Sequence, residues 1–243
     1  MLIEPRYHQR FRQVFCNCLQ AAHSWDWILV VAHGHGGFGF WNRMHCPESG
    51  GNVPLYYELP TKNFSSGHVY SDFLKQQEMW SWLSSLQFSH AIVTQTDVMI
   101  NPSASIMPFL EQYDFLGCQA SWSRFEYPPP LRNQKCIAAN GGFSLRSVPF
   151  SLNCTRMFPA EKTQGWPLRK PKHWVANHED VYFLWGIWRL GGHVPTGQPL
   201  ESKWCHQRAE SFARSVALHK PKLWKPRNSE TTKVYASGPP LEP

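Results

Sequence analysis

Apolar residues recur at helical spacing at Phe11, Val14, Phe15, Cys18 and Ala22, which predicts a first helix. "WDWILVVAHGHGG" (residues 25–37) follows, a continuous apolar run broken by glycines, as expected of a short buried strand. Residues 41–67 are rich in Gly, Pro, Asn and Ser and read as a long irregular connection with short strand pieces. Ser71 is a candidate cap for a helix with the apolar stripe Met79, Trp82, Leu83 and Leu86. In "SHAIVTQTDVMINP" (89–102) an apolar run, Ala91 to Val93, meets the polar knot Thr94-Gln95-Thr96-Asp97. Val98 to Ile100 resume the run, and Asn-Pro stops it. "SIMPFLEQ" (105–112) predicts a short helix, "YDFLGC" (113–118) a strand, and "NGGFSLRS" (140–147) a turn running into a strand. A second long loop spans about 157–177. "HEDVYFLWGIWRLGG" (178–192) then carries the stripe Val181, Leu184, Trp185 and Trp188 and a glycine stop.

Helices alternating with short apolar strands predict an α/β domain with a mostly parallel, doubly wound sheet flanked by helices. Residues 1–224 read as one domain, and the Pro- and Lys-rich residues 225–243 as a disordered tail. In such sheets ligands sit at the carboxyl ends of strands. That singles out His33 to Gly37, Gln95 to Asp97 and Asn140 to Gly142.

A lone buried carboxylate such as Asp97 costs several kcal/mol unless something pairs with it, so it either caps a turn or holds a bound group. On a strand, Gln95 and Asp97 would point the same way and could share one cation, with oxygen donors that suit Mg²⁺ or Mn²⁺. Acids in the first turn of a helix, as in His178-Glu179-Asp180, complement the helix dipole, or they supply a general base. Asn140-Gly141-Gly142 permits a sharp turn or a close approach of backbone to a ligand. "HGHGG" could present backbone N–H groups to phosphate, although it matches no P-loop spacing.

Composition narrows the class. Across 243 residues, 42% hydrophobic and 17% charged residues fit a globular chain. A formal net charge of +7 favours anionic partners, and no nucleic-acid-binding signature accompanies it. The 12 tryptophans suit core packing first and flat, semi-polar ligands second. Seven scattered cysteines, with Cys16 and Cys18 facing different sides of a helix, read as mostly reduced thiols. No signal peptide and no apolar run of about 18 residues is read, so the chain as it stands carries no membrane span and is expected in the cytoplasm. "MLIEPR" nevertheless looks like the end of a strand, which leaves the secretory pathway open.

Seven blocks in order carry a resemblance: "EPRYHQRFRQVFCNCL", "WDWILVVAHG", "YSDFLKQQEMW" with "VTQTDVMI", "YDFLGCQASW", "NGGFSLRS", "HEDVYF" and "ESFARSVALHK". Together they resemble a largely uncharacterised family with a GT-A-type glycosyltransferase fold. The resemblance implies a metal-dependent transferase that moves a sugar from a nucleotide-diphosphate sugar to a glycan or other hydroxyl acceptor. The alternative is a catalytically weak module of the same shape that binds such a ligand. The Asp-x-Asp element of such enzymes holds Mn²⁺ or Mg²⁺ against the diphosphate. Here Gln95 replaces its first acid, so Asp97 would carry the charge, with His219 completing the metal site. The late acidic pair would supply the base, Asp180 first and Glu179 second. Glu4, Arg6, His33, Gly34, Tyr70, Gln95, Trp122, Asn140, Gly141 and Gly142 are the expected substrate-binding residues.

Overall fold

A computed structural model describes residues 1–3, 11–33, 46, 53–59, 67–120, 137–159, 178–197, 199–206 and 214–219. The expected tail lies outside them.

The strands are β1 (Leu2–Ile3), β2 (Val30–His33), β3 (Leu55–Glu58), β4 (His90–Thr94), β5 (Val98–Ile100), β6 (Phe115–Ala120), β7 (Ile137–Ser147), β8 (Cys205–His206) and β9 (Ala217–His219). The helices are α1 (Phe11–Ser24), α2 (Gly67–Leu74), α3 (Gln77–Ser85), α4 (Met107–Leu110), α5 (Val148–Met157) and α6 (Glu179–Arg189). Six strands form a central sheet in the order β3-β2-β1-β4-β7-β6. β3, β2, β1 and β4 are parallel neighbours. β7 runs against both β4 and β6, so β6 keeps the common direction and β7 alone is reversed. The protein is thus a mixed α/β, Rossmann-like fold with a mostly parallel central sheet, as the sequence pattern predicts.

Period-two alternation divides the core between the two faces of the sheet. Ile3, Val30, Ala32, Ala91, Val93 and Phe115 pack with α2, α3, α5 and α6 on one side. Leu2, Val31, Ile92 and Leu116 pack with α1, α4 and the small sheet on the other. Burial on both faces explains why these strands read as apolar runs rather than as alternating patterns. No helix among the described residues is long and apolar enough to cross a membrane.

Three local expectations change, and one helix is added. Gln95 to Asp97 do not continue the strand: the chain turns there and leaves for a second, three-stranded sheet, β5-β9-β8. Asn140 to Gly142 are not a turn but lie inside β7, because β6 pairs along it with a register shift near Cys118 and Asn140. Ser71 does not cap α3. It lies within α2, and Gln76 precedes α3 instead. α5 has no counterpart among the elements the apolar pattern predicts. Ser147 caps it by accepting a hydrogen bond from the Phe150 amide at 3.5 Å, and Pro149 fits its first turn.

The cysteines depart most. Cys16 is bonded to Cys46 and Cys118 to Cys205, while Cys18 and Cys154 are buried free thiols. Cys16 and Cys18 do point to different sides of α1, so each has its own fate rather than a shared one. Sequence separations of 30 and 87 hide both bonds from any spacing rule. The second bond ties the central sheet to the small sheet, since Cys205 pairs with Ala217 on β9. Trp204 packs across the same junction on Phe143 and Phe109.

Candidate active site

β7 passes through the middle of the candidate site, and its two glycines let it do so. A Cβ on Gly141 would lie 2.2 Å from Glu179 Oε1, and one on Gly142 would lie 2.5 Å from His219 Nε2. Neither glycine has a positive φ, so the requirement is close approach, not unusual backbone. Two polar clusters therefore touch adjacent residues of one strand, about 3.8 Å apart along the chain.

The first cluster is at the end of β4. The Gln95 amide donates to Gly142 O at 2.9 Å, which brings the polar knot against β7. β5 and β9 pair with Val98 opposite His219, and this register sets His219 beside Asp97. His219 Nε2 and Asp97 Oδ1 approach to 3.4 Å, without the angle of a hydrogen bond. The pair is ionic when His219 is protonated. His219 is buried, and neither ring nitrogen has a hydrogen-bond partner among the described residues. The Asp97 side chain is 37% exposed, so one side of the pair is open.

The second cluster opens α6. That helix is buried all round from Glu179 to Ile187, more than its apolar stripe suggests, and Trp188 is only partly buried. Gly191, at φ +83°, follows its end as the sequence predicts. Glu179 Oε2 accepts from Ser71 Oγ at 2.9 Å and Oε1 from Arg146 Nη2 at 3.3 Å. Asp180 Oδ2 accepts from the Gly141 amide at 3.0 Å and Oδ1 from the Val181 amide at 2.8 Å. Asp180 is therefore not at a cleft edge but 5% exposed against the β7 backbone. Burial, then the neighbouring Glu179 charge, holds its carboxyl well above the usual range, against the pull of the two amides and Arg146.

Tyr70, on α2, joins the clusters. Its buried hydroxyl interacts with the Gln95 side chain and feels Glu179, Arg146 and Asp180. Burial first, then Glu179, raises its pKa. Asn140 is committed locally, since its Oδ1 accepts from the Gly142 amide at 3.0 Å. His33 ends β2, buried edge-on to Tyr56. Glu4, Arg6, Gly34 and Trp122 lie outside the described residues.

The structure thus brings Gln95, Asp97, His219, Gly141, Gly142, Tyr70, Glu179 and Asp180 together. It adds Arg146, which the sequence does not single out, and Ser71, which the sequence offers only as a helix cap. An arginine one place before a helix cap, on an otherwise buried strand, is the available signal. A cavity of roughly 320 Å³ lies elsewhere, among Trp27, Val30, Phe88 and His90 where β2 and β4 begin, at the opposite end of the sheet from these acids.

Among the described residues no three His, Cys, Asp or Glu side chains group closely enough to hold a metal by themselves. Asp97 and His219 supply two donors of types that divalent ions accept, and neither ring nitrogen of the buried His219 has a hydrogen-bond partner among the described residues. That set fits an ion whose remaining positions are filled by a ligand's oxygens.

None of the curated proteins matches the chain. Residues 56–202, more than half of the chain, match the family described as protein of unknown function (DUF5672), and the protein belongs to that family.

Proposed function

We propose that the protein is a metal-assisted glycosyltransferase that moves a sugar from a nucleoside-diphosphate sugar to a hydroxyl acceptor. The observation that carries this reading is the pair Asp97–His219, set one β7 residue away from the buried pair Glu179–Asp180 at the carboxyl end of β4. Asp97 and His219 would hold Mn²⁺ or Mg²⁺, with Gln95 beside them. When bound, the ion supplies charge to steady a leaving diphosphate. Asp180 is the base. As the acceptor oxygen bonds to the sugar carbon, the acceptor proton passes to the Asp180 carboxylate, and the broken sugar–phosphate bond leaves its electron pair on the diphosphate. A carboxyl held above its usual range is a better base near neutrality. Two disulfides favour an oxidising compartment such as the secretory pathway.

One observation favours a second reading, a module of the same shape that binds without turnover. Both oxygens of Asp180 are already engaged by backbone amides. A thermal-shift screen of nucleoside diphosphates and their sugars, with and without Mn²⁺, tests both readings, because specific binding raises the melting temperature by mass action. No stabilisation by any of them sinks both. Stabilisation without transfer to any acceptor leaves the second.

A further inference from the structure

Arg146 is fully buried on β7, with its guanidinium 4.8 Å from the Phe183 ring centre and 5.7 Å from that of Phe115. Its Nε donates to Ser144 Oγ at 2.9 Å and its Nη2 to Glu179 Oε1, while Nη1 has no partner among the described residues. Aromatic faces and two hydrogen bonds fix the cation in one place. Glu179 is held from both sides, by this cation and by the Ser71 hydroxyl. Among the described residues Asp180 is hydrogen-bonded by neutral amides alone.

Among the described residues the charges do not balance. Two buried carboxylates face one buried cation, so full ionisation leaves an uncompensated charge, which costs several kcal/mol. A nearby cation favours the charged form of the carboxyl it bonds, so a proton taken up by the cluster goes to the carboxyl that no cation bonds. We infer that Arg146 is a positioning residue: it anchors the Glu179 carboxyl and leaves Asp180, which no described side-chain cation bonds, as the carboxyl that takes up and releases the proton. The purpose of this division rests on the transferase reading, since a base must exchange a proton while its neighbour stays still. The groups that act on Asp180 among the described residues are Glu179 on its own helix, Arg146 and the Gly141 amide from β7, and the Val181 amide. The Tyr70 hydroxyl from α2 senses both acids. Burial and Glu179 raise the Asp180 carboxyl, in agreement with the geometry.

The test is a carbon-13 titration of the side-chain carboxyls in the protein without donor or metal, with Asp180→Asn to assign the signal. The parent should show one aspartate titrating above the usual range, lost in Asp180→Asn. Glu179→Gln should move that titration down by removing the like charge, and Arg146→Met should move it up. If Arg146→Met does not fold, Glu179→Gln, which keeps the shape and the Ser71 contact, decides. The inference is overturned if Asp180 titrates in the usual range, if Glu179→Gln leaves it in place, or if Arg146→Met lowers the melting temperature without moving it. Because no nucleotide is present, this result is independent of the thermal-shift screen, and either can fail alone.

Discussion

His219 Nε2 stands 3.4 Å from Asp97 Oδ1, although 122 positions separate the two in the chain. The β5–β9 pairing makes the contact, and the ring lies flat enough on Gly142 that no Cβ fits there. On the transferase reading the two residues act together on one ion. Asp97→Asn removes the charge and keeps the shape. It should weaken Mn²⁺-dependent binding of a nucleoside diphosphate on the order of 10-fold or more, as loss of a metal-site group does. Calorimetry with and without Mn²⁺ checks this, and unchanged affinity rejects Asp97 as a ligand.

Gly142→Ala should act through the histidine. The new methyl would sit 2.5 Å from His219 Nε2, so the ring must move. Metal-dependent nucleotide binding should fall about as far as in His219→Ala, and the double variant should lose nothing further, since coupled residues are not additive. Two losses that add would show that Gly142 serves something other than His219.

The sheet and its flanking helices were legible because apolar runs and helical stripes report burial directly. Val14, Phe15 and Cys18 on α1, and Val181 and Leu184 on α6, are buried as their spacing predicts. What stayed hidden depends on pairings between distant positions. The glycines of "NGGFSLRS" carry the same local signal whether they turn a hairpin or lie flat under Glu179 and His219, and only the register of β6 on β7 decides. Arg146 looked like an ordinary strand arginine, since nothing near it in sequence announces Phe115, Phe183 or Glu179. Ser71 shows the opposite error. A good helix cap by composition, it donates to Glu179, 108 positions away.

Reduction of the Cys118–Cys205 bond should destabilise the protein and release the sheet that carries His219. In the chain-entropy account, a bond closing a loop of this length contributes roughly 4 kcal/mol. For a chain of this size that corresponds to a melting temperature lower by about 10 °C. Cys118→Ser with Cys205→Ser, compared with the parent by calorimetry, gives the number. Metal-dependent nucleotide binding should weaken in the same variant at a temperature where it is still folded. A variant that melts like the parent would show that Trp204, stacked on Phe143 and Phe109, holds the junction without the bond.

Asp180 links stability, pH and turnover. Its folded pKa is raised above the unfolded value of about 3.9. In the window between those two values the folded state binds more protons than the unfolded one, so stability falls as pH rises through it and stays low above it. Asn cannot ionise, so Asp180→Asn should lack that slope. The melting temperature of the variant relative to the parent should therefore climb from about pH 4 upward and level off once the parent has ionised. Parallel curves would mean that Asp180 keeps an ordinary pKa. The same variant should lose about 100-fold or more in transfer rate at saturating donor, the usual contribution of a general base. Glu179→Gln should lose less, because Glu179 bonds Ser71 and Arg146 rather than the acceptor. A protein stabilised at neutral pH by the very substitution that abolishes transfer would mark Asp180 as a group kept at a cost to the fold for the sake of the reaction. Full activity in Asp180→Asn would remove it from the chemistry altogether.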